Sequence, residues 1–362
     1  MSYIVAIETA VPEFVHTQHD CAVFYSNSTK DVDIKRKINI ISSKTGIEKR
    51  YSVLKDYSLS SSAFEFYPKN QELLPQPTLS QRMAIFKEEA FKLSLKAIQK
   101  IKNIDVLKQS ITDVITVTCT GLFAPGLDIQ LVEALGLKPT VGRSSVNFMG
   151  CNAAIIALKQ ADAICRNNSQ ANVLIVCTEL CTLHFQKEYS DDYIVSNQLF
   201  ADGSAAVLIS AQPIKNEFGD TIEIKEFHSM LLHKGYNDMA WQLSETGFKM
   251  NLTSYVSELI NNNIKELLQS LNLDAATINN WAIHPGGKKI LNEFCEALQV
   301  DVEKLHSSFD VLKNYGNMSS PTVLFVLKHI IENTTHKQKG EAIFAAAFGP
   351  GISIETMQLQ YA

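Results

Sequence analysis

The chain has 362 residues, 46% of them hydrophobic, and a formal net charge of −5. This size allows a large buried core and two domains, while the charge offers no general attraction for nucleic acid or an anionic membrane surface. No apolar run approaches the roughly 20 residues of a membrane-spanning helix, so no membrane association is expected. Seven cysteines, an odd number, and an N-terminus without a charged-then-apolar leader predict a cytoplasmic location.

Short apolar runs alternate with longer segments of helical periodicity, a pattern typical of an α/β fold with buried strands. The predicted strands span 3–7, 113–119, 144–147, 172–178, 204–210, 221–229, 280–283 and 342–348. The predicted helices span 81–101, 127–135, 152–166, 255–271, 288–298, 308–315 and 321–333. A strand followed by a loop of small residues occurs at 114–121 and again at 342–351, which suggests an internal duplication. The proline-containing stretch 211–216 is the predicted boundary.

Cys151 follows Gly150 at the junction between an apolar run and a long amphipathic segment. A cysteine at that point would lie at a helix N-terminus, where unpaired N–H groups and the helix dipole favour the thiolate. Free cysteines are also common in cores, so the position alone leaves both interpretations open. His284 and Asn317 stand far downstream, the first two residues before Gly286 and the second directly after Gly316. One cysteine with a histidine and an asparagine elsewhere in the chain predicts a nucleophile.

Five motifs follow one another along the chain in a specific order and spacing. They are Gly150-Cys151, LFADG at 199–203, HPGG at 284–287, YGNMSS at 315–320 and FGPG at 348–351. In this set, from about residue 40 to residue 355, the chain resembles the type III polyketide synthases, the chalcone and stilbene synthase family. The resemblance implies a five-layered αβαβα thiolase-like fold and a homodimer. It assigns the cysteine to a first half, 1–211, and the histidine and asparagine to a second, 212–362.

The resemblance also implies roles for individual residues. Cys151 would accept an acyl group from a coenzyme A (CoA) thioester. His284 would depress the pKa of that thiol and donate to the thioester oxygen, and Asn317 would stabilise the enolate left when malonyl-CoA loses carbon dioxide. Phe200 would lie against the departing carboxylate. Outside the family, a core histidine, a turn asparagine and a core phenylalanine are the ordinary alternatives.

Acyl-CoA and malonyl-CoA would be substrates, and no cofactor or metal is expected, because histidines and cysteines form no close ligand cluster and no nucleotide fingerprint occurs. Lys37, Lys44 and Gly287 match CoA contacts of the family, and the two lysines would share one helix face. Ile40 occupies the third basic position, for which Lys35 or Arg36 could substitute. A solvated basic helix face is the alternative.

The positions that line the product-determining cavity of the family depart from the plant pattern. They are Cys119, Cys181, His184, Trp241, Met250, Ser319 and Phe348. Plant chalcone-forming enzymes carry threonine at the first three and glycine in place of Trp241, so a non-plant type is predicted. Trp241 would block one direction of chain growth, whereas Met250 and Ala124 could open a tunnel for an acyl chain. His184 would be either a cyclisation base or a space-filler.

The sequence therefore predicts a condensing enzyme that releases a pyrone or resorcinol-type product. Ketoacyl-carrier-protein synthase III shares the Cys, His, Asn order and is the nearest alternative. A non-catalytic scaffold of the same fold is disfavoured, because Cys151, His284 and Asn317 are all present. The starter, the number of extensions and the mode of ring closure stay open.

Overall fold

The computed structural model describes residues 1–215, 220–232, 235–253, 255–334 and 339–362. Its strands are β1 (Ser2–Ala10), β2 (Phe14–Thr17), β3 (Lys49–Ser52), β4 (Asp113–Thr118), β5 (Gly142–Asn147), β6 (Asn172–Leu180), β7 (Asp202–Ser210), β8 (Ile222–Leu231), β9 (Met239–Ser244), β10 (Gly247–Leu252), β11 (Asn280–Ile283), β12 (Ala342–Gly349) and β13 (Ser353–Tyr361). Its helices are α1 (Gln18–Asn27), α2 (Val32–Lys44), α3 (Leu79–Gln99), α4 (Ile104–Leu107), α5 (Leu127–Leu135), α6 (Ala153–Asn167), α7 (Asp191–Leu199), α8 (Tyr255–Ser270), α9 (Lys288–Leu298), α10 (His306–Tyr315) and α11 (Thr322–Asn333). Across these ranges, no helix combines the length and apolar character needed to cross a membrane.

Nine of the described strands form one mixed sheet, in the order β11-β12-β13-β8-β1-β7-β6-β4-β5. In the first half, β1 is antiparallel to β7, β7 is antiparallel to β6, and β6 is parallel to β4. In the second half, β8, β13, β12 and β11 repeat that order and those orientations. The two halves join where β1 pairs with β8. The repeated topology supports an internal duplication.

The strands that correspond between the two halves differ from the pair that the sequence suggested. By topology β4 corresponds to β11, and β6 corresponds to β12. The sequence comparison of 114–121 with 342–351 therefore paired β4 with a non-equivalent strand, because small-residue loops follow both. The boundary predicted at 211–216 falls between β7 and β8, and its last residue lies outside the described residues. The exact division at 211/212 stays a prediction.

The core is layered because residues of the buried strands alternate between two faces. In β6, Val173 and Ile175 belong to a central core, whereas Leu174 belongs to the outer core of the first half. In β12, Ala345 lies in the central core and Phe344 in the outer core of the second half. Helices α6 and α11 supply the middle of the central core. The result is the predicted αβαβα arrangement.

Helices α6 and α11 are apolar over their N-terminal halves, which pack in the central core. Leu158 in α6 and Leu324 in α11 are fully buried, and each such side chain contributes about 1.5–3 kcal/mol. Valines and isoleucines are weak helix formers, yet α11 contains several of them. Tertiary packing therefore outweighs local propensity in this helix.

Candidate active site

A small closed space, here called the central cavity, lies where the two halves meet, and it has a volume of about 20 Å³. Its lining residues are Cys119, Thr120, Phe148, Gly150, Cys151, Cys181, Phe200, Met239, Trp241, Met250, Ser319 and Pro350. Seven of the residues predicted for the site are among them. Four of the five motifs contribute a residue to this lining, whereas HPGG contributes none, and His284 and Asn317 are not among the lining residues.

Gly150 is required by the close approach of the two halves. It has φ +81°, a left-handed conformation, and a Cβ atom there would lie 2.1 Å from the Cδ of Pro350. Next to it, the side-chain amide of Asn152 donates to the Oγ of Ser353 at 2.8 Å. Contacts with Pro350, in the FGPG motif, and with Ser353, just after it, therefore hold the loop that carries Cys151 in place.

Cys151 directly precedes Asn152, the N-cap of α6, as predicted. Burial raises the pKa of its thiol to about 12. Hydrogen bonds with Ser319 and Asn317 lower the pKa, but by less than burial raises it. The prediction of a depressed thiol pKa is therefore wrong for this closed cavity. The physical reason is that the loss of water around the sulfur outweighs the helix N-terminus. At neutral pH the side chain of Cys151 is therefore a thiol.

His284 follows β11, and its backbone N–H donates to the Ala346 carbonyl at 2.8 Å. Its side chain is buried, and burial lowers its pKa to about 3. Within the described part of the chain, neither ring nitrogen has a hydrogen-bond partner. Gly286 lies against the ring, since a Cβ atom there would be 3.8 Å from Nε2. A neutral imidazole with two open nitrogens can accept a proton at one and donate at the other.

Asn317 is held beside Phe200 by backbone hydrogen bonds between the halves. Its N–H donates to the Leu199 carbonyl at 3.0 Å, and its carbonyl accepts from the N–H of Ala201 at 2.9 Å. The side-chain oxygen accepts from the Ser319 N–H at 2.8 Å, which fixes the orientation of the amide. Its NH₂ group donates to the Gly286 carbonyl at 3.3 Å, a long bond that leaves donor capacity for a ligand.

Two family models match almost the whole chain: "Chalcone and stilbene synthases, N-terminal domain" over residues 1–213 and the C-terminal domain over residues 223–361. The chain belongs to the chalcone and stilbene synthase family. It is a type III polyketide synthase, an acyltransferase that catalyses decarboxylative Claisen condensation with acyl-CoA and malonyl-CoA. The family assignment is the predicted one, and it favours polyketide synthesis over fatty-acid initiation.

Known relatives cover nearly the full length. "Alpha-pyrone synthesis polyketide synthase-like Pks18" of Mycobacterium tuberculosis is 30% identical over 370 residues, which cover 99% of this chain and 90% of the relative. Among solved structures, PKS-I of the brown alga Ectocarpus siliculosus has a TM-score of 0.89 at 25% identity, covering 100% of this chain and 99% of that one. The type III domain of Steely1 from Dictyostelium has a TM-score of 0.89 at 27% identity, covering 99% of each chain.

In this polyketide synthase, Trp241 forms a wall of the central cavity. Its indole N–H donates to the Cys119 carbonyl at 2.7 Å, and its ring centroid is 6.4 Å from that of Phe200. Beyond the wall lies a side cavity of about 30 Å³. Trp241, Phe200, Met250 and Cys181 line both spaces. These four side chains therefore stand between the two spaces.

His184 lines the side cavity and not the central one. Its Nε2 donates to the Thr120 carbonyl at 2.7 Å, and its Nδ1 accepts from the N–H of Phe248 at 3.0 Å. The ring stacks on Phe248 with centroids 4.2 Å apart. Burial lowers the pKa of His184 to about 3. Because both nitrogens are occupied and the ring stays neutral, the structure favours the space-filler over the cyclisation base.

Glu179, at the end of β6, is a buried carboxylate beside the cavity that the sequence analysis missed. It accepts hydrogen bonds from the Cys119 N–H, the Thr120 hydroxyl and the Ser320 hydroxyl, at 2.8, 2.7 and 2.7 Å. Burial raises its pKa to about 7, and its charge in turn raises the pKa of Cys151. The sequence did contain a signal for this residue, a single acidic side chain inside an apolar strand. Buried carboxylates are rare, so such a position suggests a special role.

A third space, here called the outer groove, has a volume of about 340 Å³. Its lining residues are Ile41, Lys44, Thr45, Asp191, Asp192, Val195, Leu199, Leu252, Thr253, Val256, Gly286, Gly287, Lys288, Lys289 and Ile290. Lys44 and Gly287, both predicted CoA contacts, are among them. Lys37 shares helix α2 with Lys44 as predicted, but its ammonium bonds the carboxylate of Asp191 at the rim.

Phe348 is placed differently from the prediction. It is buried in the outer core of the second half with Phe344 and Trp281, and it lines neither the central nor the side cavity. The alternation of β12 explains this position: Ala347 faces the central helices, so its neighbour Phe348 faces the opposite side of the sheet. We therefore assign Phe348 to packing.

Proposed function

We propose that this polyketide synthase loads a short acyl-CoA starter on Cys151, extends it with malonyl-CoA and releases an α-pyrone. The observation that carries the proposal is the volume of the central cavity, about 20 Å³, which Trp241 helps to line. A cavity of that size admits about one water molecule without rearrangement, so a short chain fits with the least displacement of side chains.

Loading begins with a neutral thiol and a neutral imidazole. His284 takes the proton of Cys151 as the sulfur attacks the thioester carbonyl, and that proton then passes to the sulfur of the departing CoA. The products are the acyl-Cys151 thioester and free CoA. Because burial holds the pKa of Cys151 near 12 and that of His284 near 3, proton transfer accompanies attack rather than preceding it.

Extension uses the donors of the second half. Malonyl-CoA loses carbon dioxide, and the electron pair of the broken bond becomes the enolate of acetyl-CoA. The N–H of neutral His284 and the NH₂ group of Asn317 donate to the enolate oxygen, while the apolar ring of Phe200 disfavours the charged carboxylate and favours neutral carbon dioxide. The enolate carbon attacks the acyl carbonyl, and the thiolate of Cys151 leaves.

Release as a pyrone requires no catalytic base from the protein. In a triketide, an enol oxygen attacks the carbonyl of its own thioester, the ring closes and the thiol leaves. The hydrogen bonds of His184 occupy both of its nitrogens, so it offers no base for a different cyclisation. The mycobacterial relative named for alpha-pyrone synthesis supports the same product class.

The test is incubation of purified protein with malonyl-CoA and acyl-CoA starters from acetyl to long-chain, with products identified by mass spectrometry. We expect pyrones from short starters. Cys151→Ala should form none while still releasing carbon dioxide from malonyl-CoA, and Cys165→Ala, a buried cysteine farther along α6, is the matched control. Polyketides from Cys151→Ala would refute the nucleophile, and faster extension of long-chain starters would refute the size argument.

We also propose a homodimer in the cytoplasm. Leu122 and Met149 are exposed by 43% and 44%, and they flank the loops of Cys119 and Cys151 near the uncovered edge strand β5. A second copy of the chain would cover these apolar side chains. Light scattering should give twice the monomer mass, and a monomer at working concentration would contradict the dimer.

A further inference from the structure

Two lysines from different elements line the outer groove. Lys44 is the last residue of α2, and Lys288 is the first residue of α9. Both side chains are exposed. In the part of the chain that the structure describes, neither lysine forms an ion pair. Their charges are therefore available to a ligand.

Packing directs the Lys288 side chain toward the end of α2. A Cβ atom at Gly46 would lie 3.0 Å from the Cδ of Lys288 and 3.4 Å from its Cβ. The methylenes of Lys288 thus lie across the turn that follows Lys44 by two residues. Gly46, with φ +77°, makes this close approach possible. The Lys288 side chain therefore packs beside the end of α2 that carries Lys44, and both lysines line the groove.

The other charges of the groove are largely engaged. Asp191 is bonded by Lys37, and Lys289 pairs with Glu293 at 3.4 Å. Asp192, on the wall formed by α7, disfavours an anion on that side. An anionic ligand is therefore favoured on the side of α2 and α9, between Lys44 and Lys288.

The inner end of the groove reaches the catalytic residues. Gly286 and Gly287 line it, and the Gly286 carbonyl accepts from the side chain of Asn317. Leu199, Leu252 and Ile290 line it between the two ends. A ligand with an anionic head and a flexible, weakly polar arm that ends in a reactive group fits this distribution.

We propose that Lys288, acting with Lys44, binds a phosphate of the CoA nucleotide and replaces the basic residue missing at Ile40. Ile40 is 44% exposed and lies one turn before Lys44 on α2, so a cation supplied by α9 reaches the same region. The inference deepens the proposed function and rests on CoA esters being the substrates. Lys288 is a binding residue in this scheme and takes no part in bond making.

The first test compares two extender substrates. Lys288→Ala should raise the KM for malonyl-CoA about three- to tenfold, the loss expected for one solvent-exposed contact to a charged group, with kcat unchanged. The KM for malonyl-N-acetylcysteamine, which lacks every phosphate, should not change. Lys288→Arg should restore the affinity for malonyl-CoA. Lys265→Ala, an exposed lysine of α8 outside the groove, is the control for loss of surface charge.

A second measurement separates this inference from the proposed function. Calorimetry with free CoA should show weaker binding to Lys288→Ala than to wild type, and pantetheine should bind both equally. If polyketides form but CoA binds both proteins equally, the role of Lys288 is wrong and the proposed function stands. An equal loss with CoA and pantetheine would also overturn the phosphate contact. If no CoA ester reacts, the proposed function fails, but the calorimetry still tests the inference: weaker CoA binding to Lys288→Ala supports the phosphate contact, and equal binding overturns it.

Discussion

Replacement of Trp241 by glycine tests whether one indole ring limits the length of the product. The ring is one of four side chains that line both the central cavity of about 20 Å³ and the side cavity of about 30 Å³. Its removal joins the two and adds the space of the indole itself. Truncation of a buried leucine, a smaller side chain, leaves roughly 150 Å³ and admits benzene. The variant should therefore hold several additional carbon atoms.

The substitution carries a cost in stability. Deletion of a fully buried tryptophan costs about 3–5 kcal/mol, and Trp241 is only partly buried, so we expect about 3 kcal/mol. That cost includes the Cys119 carbonyl, which loses its donor. Thermal denaturation should first establish that the variant is folded. Trp241→Phe retains an aromatic ring without the N–H donor and serves as the control.

Product length is the decisive observation. With a short starter, Trp241→Gly should shift the product distribution toward longer polyketides and should also accept longer starters, while Trp241→Phe should keep the wild-type distribution. Mass spectrometry of the extracted products measures both. A folded and active Trp241→Gly enzyme with an unchanged distribution would show that the indole does not limit chain growth, and the size argument for a short starter would fall with it.

Two further predictions concern the catalytic loop. Glu179→Gln should accelerate alkylation of Cys151 by iodoacetamide above pH 7, because it removes a charge that raises the thiol pKa; the difference should vanish below pH 6, where Glu179 is protonated. A constant ratio across pH would contradict this coupling. Gly150→Ala should cost about 2–5 kcal/mol from left-handed strain and overpacking against Pro350, measured by urea denaturation. Gly136 also has a positive φ, +62°, but no atom outside the adjacent residues lies within 4 Å of the Cβ position. Gly136→Ala should therefore lose only the stability that left-handed strain costs. An equal loss of stability in Gly136→Ala and Gly150→Ala would refute the clash with Pro350.

The eight predicted strands and seven predicted helices all occur in the structure. Strands of the central layers were predictable because burial on both faces produces continuous apolar runs. Strand β13 was missed because its sequence, SIETMQLQY, mixes polar with apolar residues. The hairpins β2–β3 and β9–β10 were missed for similar reasons, since each strand is short and partly exposed. Helix α1 lacks a clear apolar stripe and was also not predicted.

The ordered motifs identified residues of the site, but sequence did not determine their chemical state. The helix N-terminus of Cys151 was predictable, whereas its high pKa depends on closure by residues from both halves. Whether His184 acts as a base depends on two hydrogen bonds that join distant segments. Glu179 was missed because its four donors come together only through the tertiary fold.

The topological equivalence of the two halves has an electrostatic consequence. Cys151 lies just before α6, and Ser319 lies just before Pro321, the N-cap of α11, so helices in corresponding layers begin at one cavity from two directions. Their positive ends create a converging potential there. No lysine or arginine is among the described residues of its lining. In the proposed mechanism, negative charge on sulfur or on an enolate oxygen would be stabilised by these fixed backbone dipoles, which need not reorganise as the charge moves between the two.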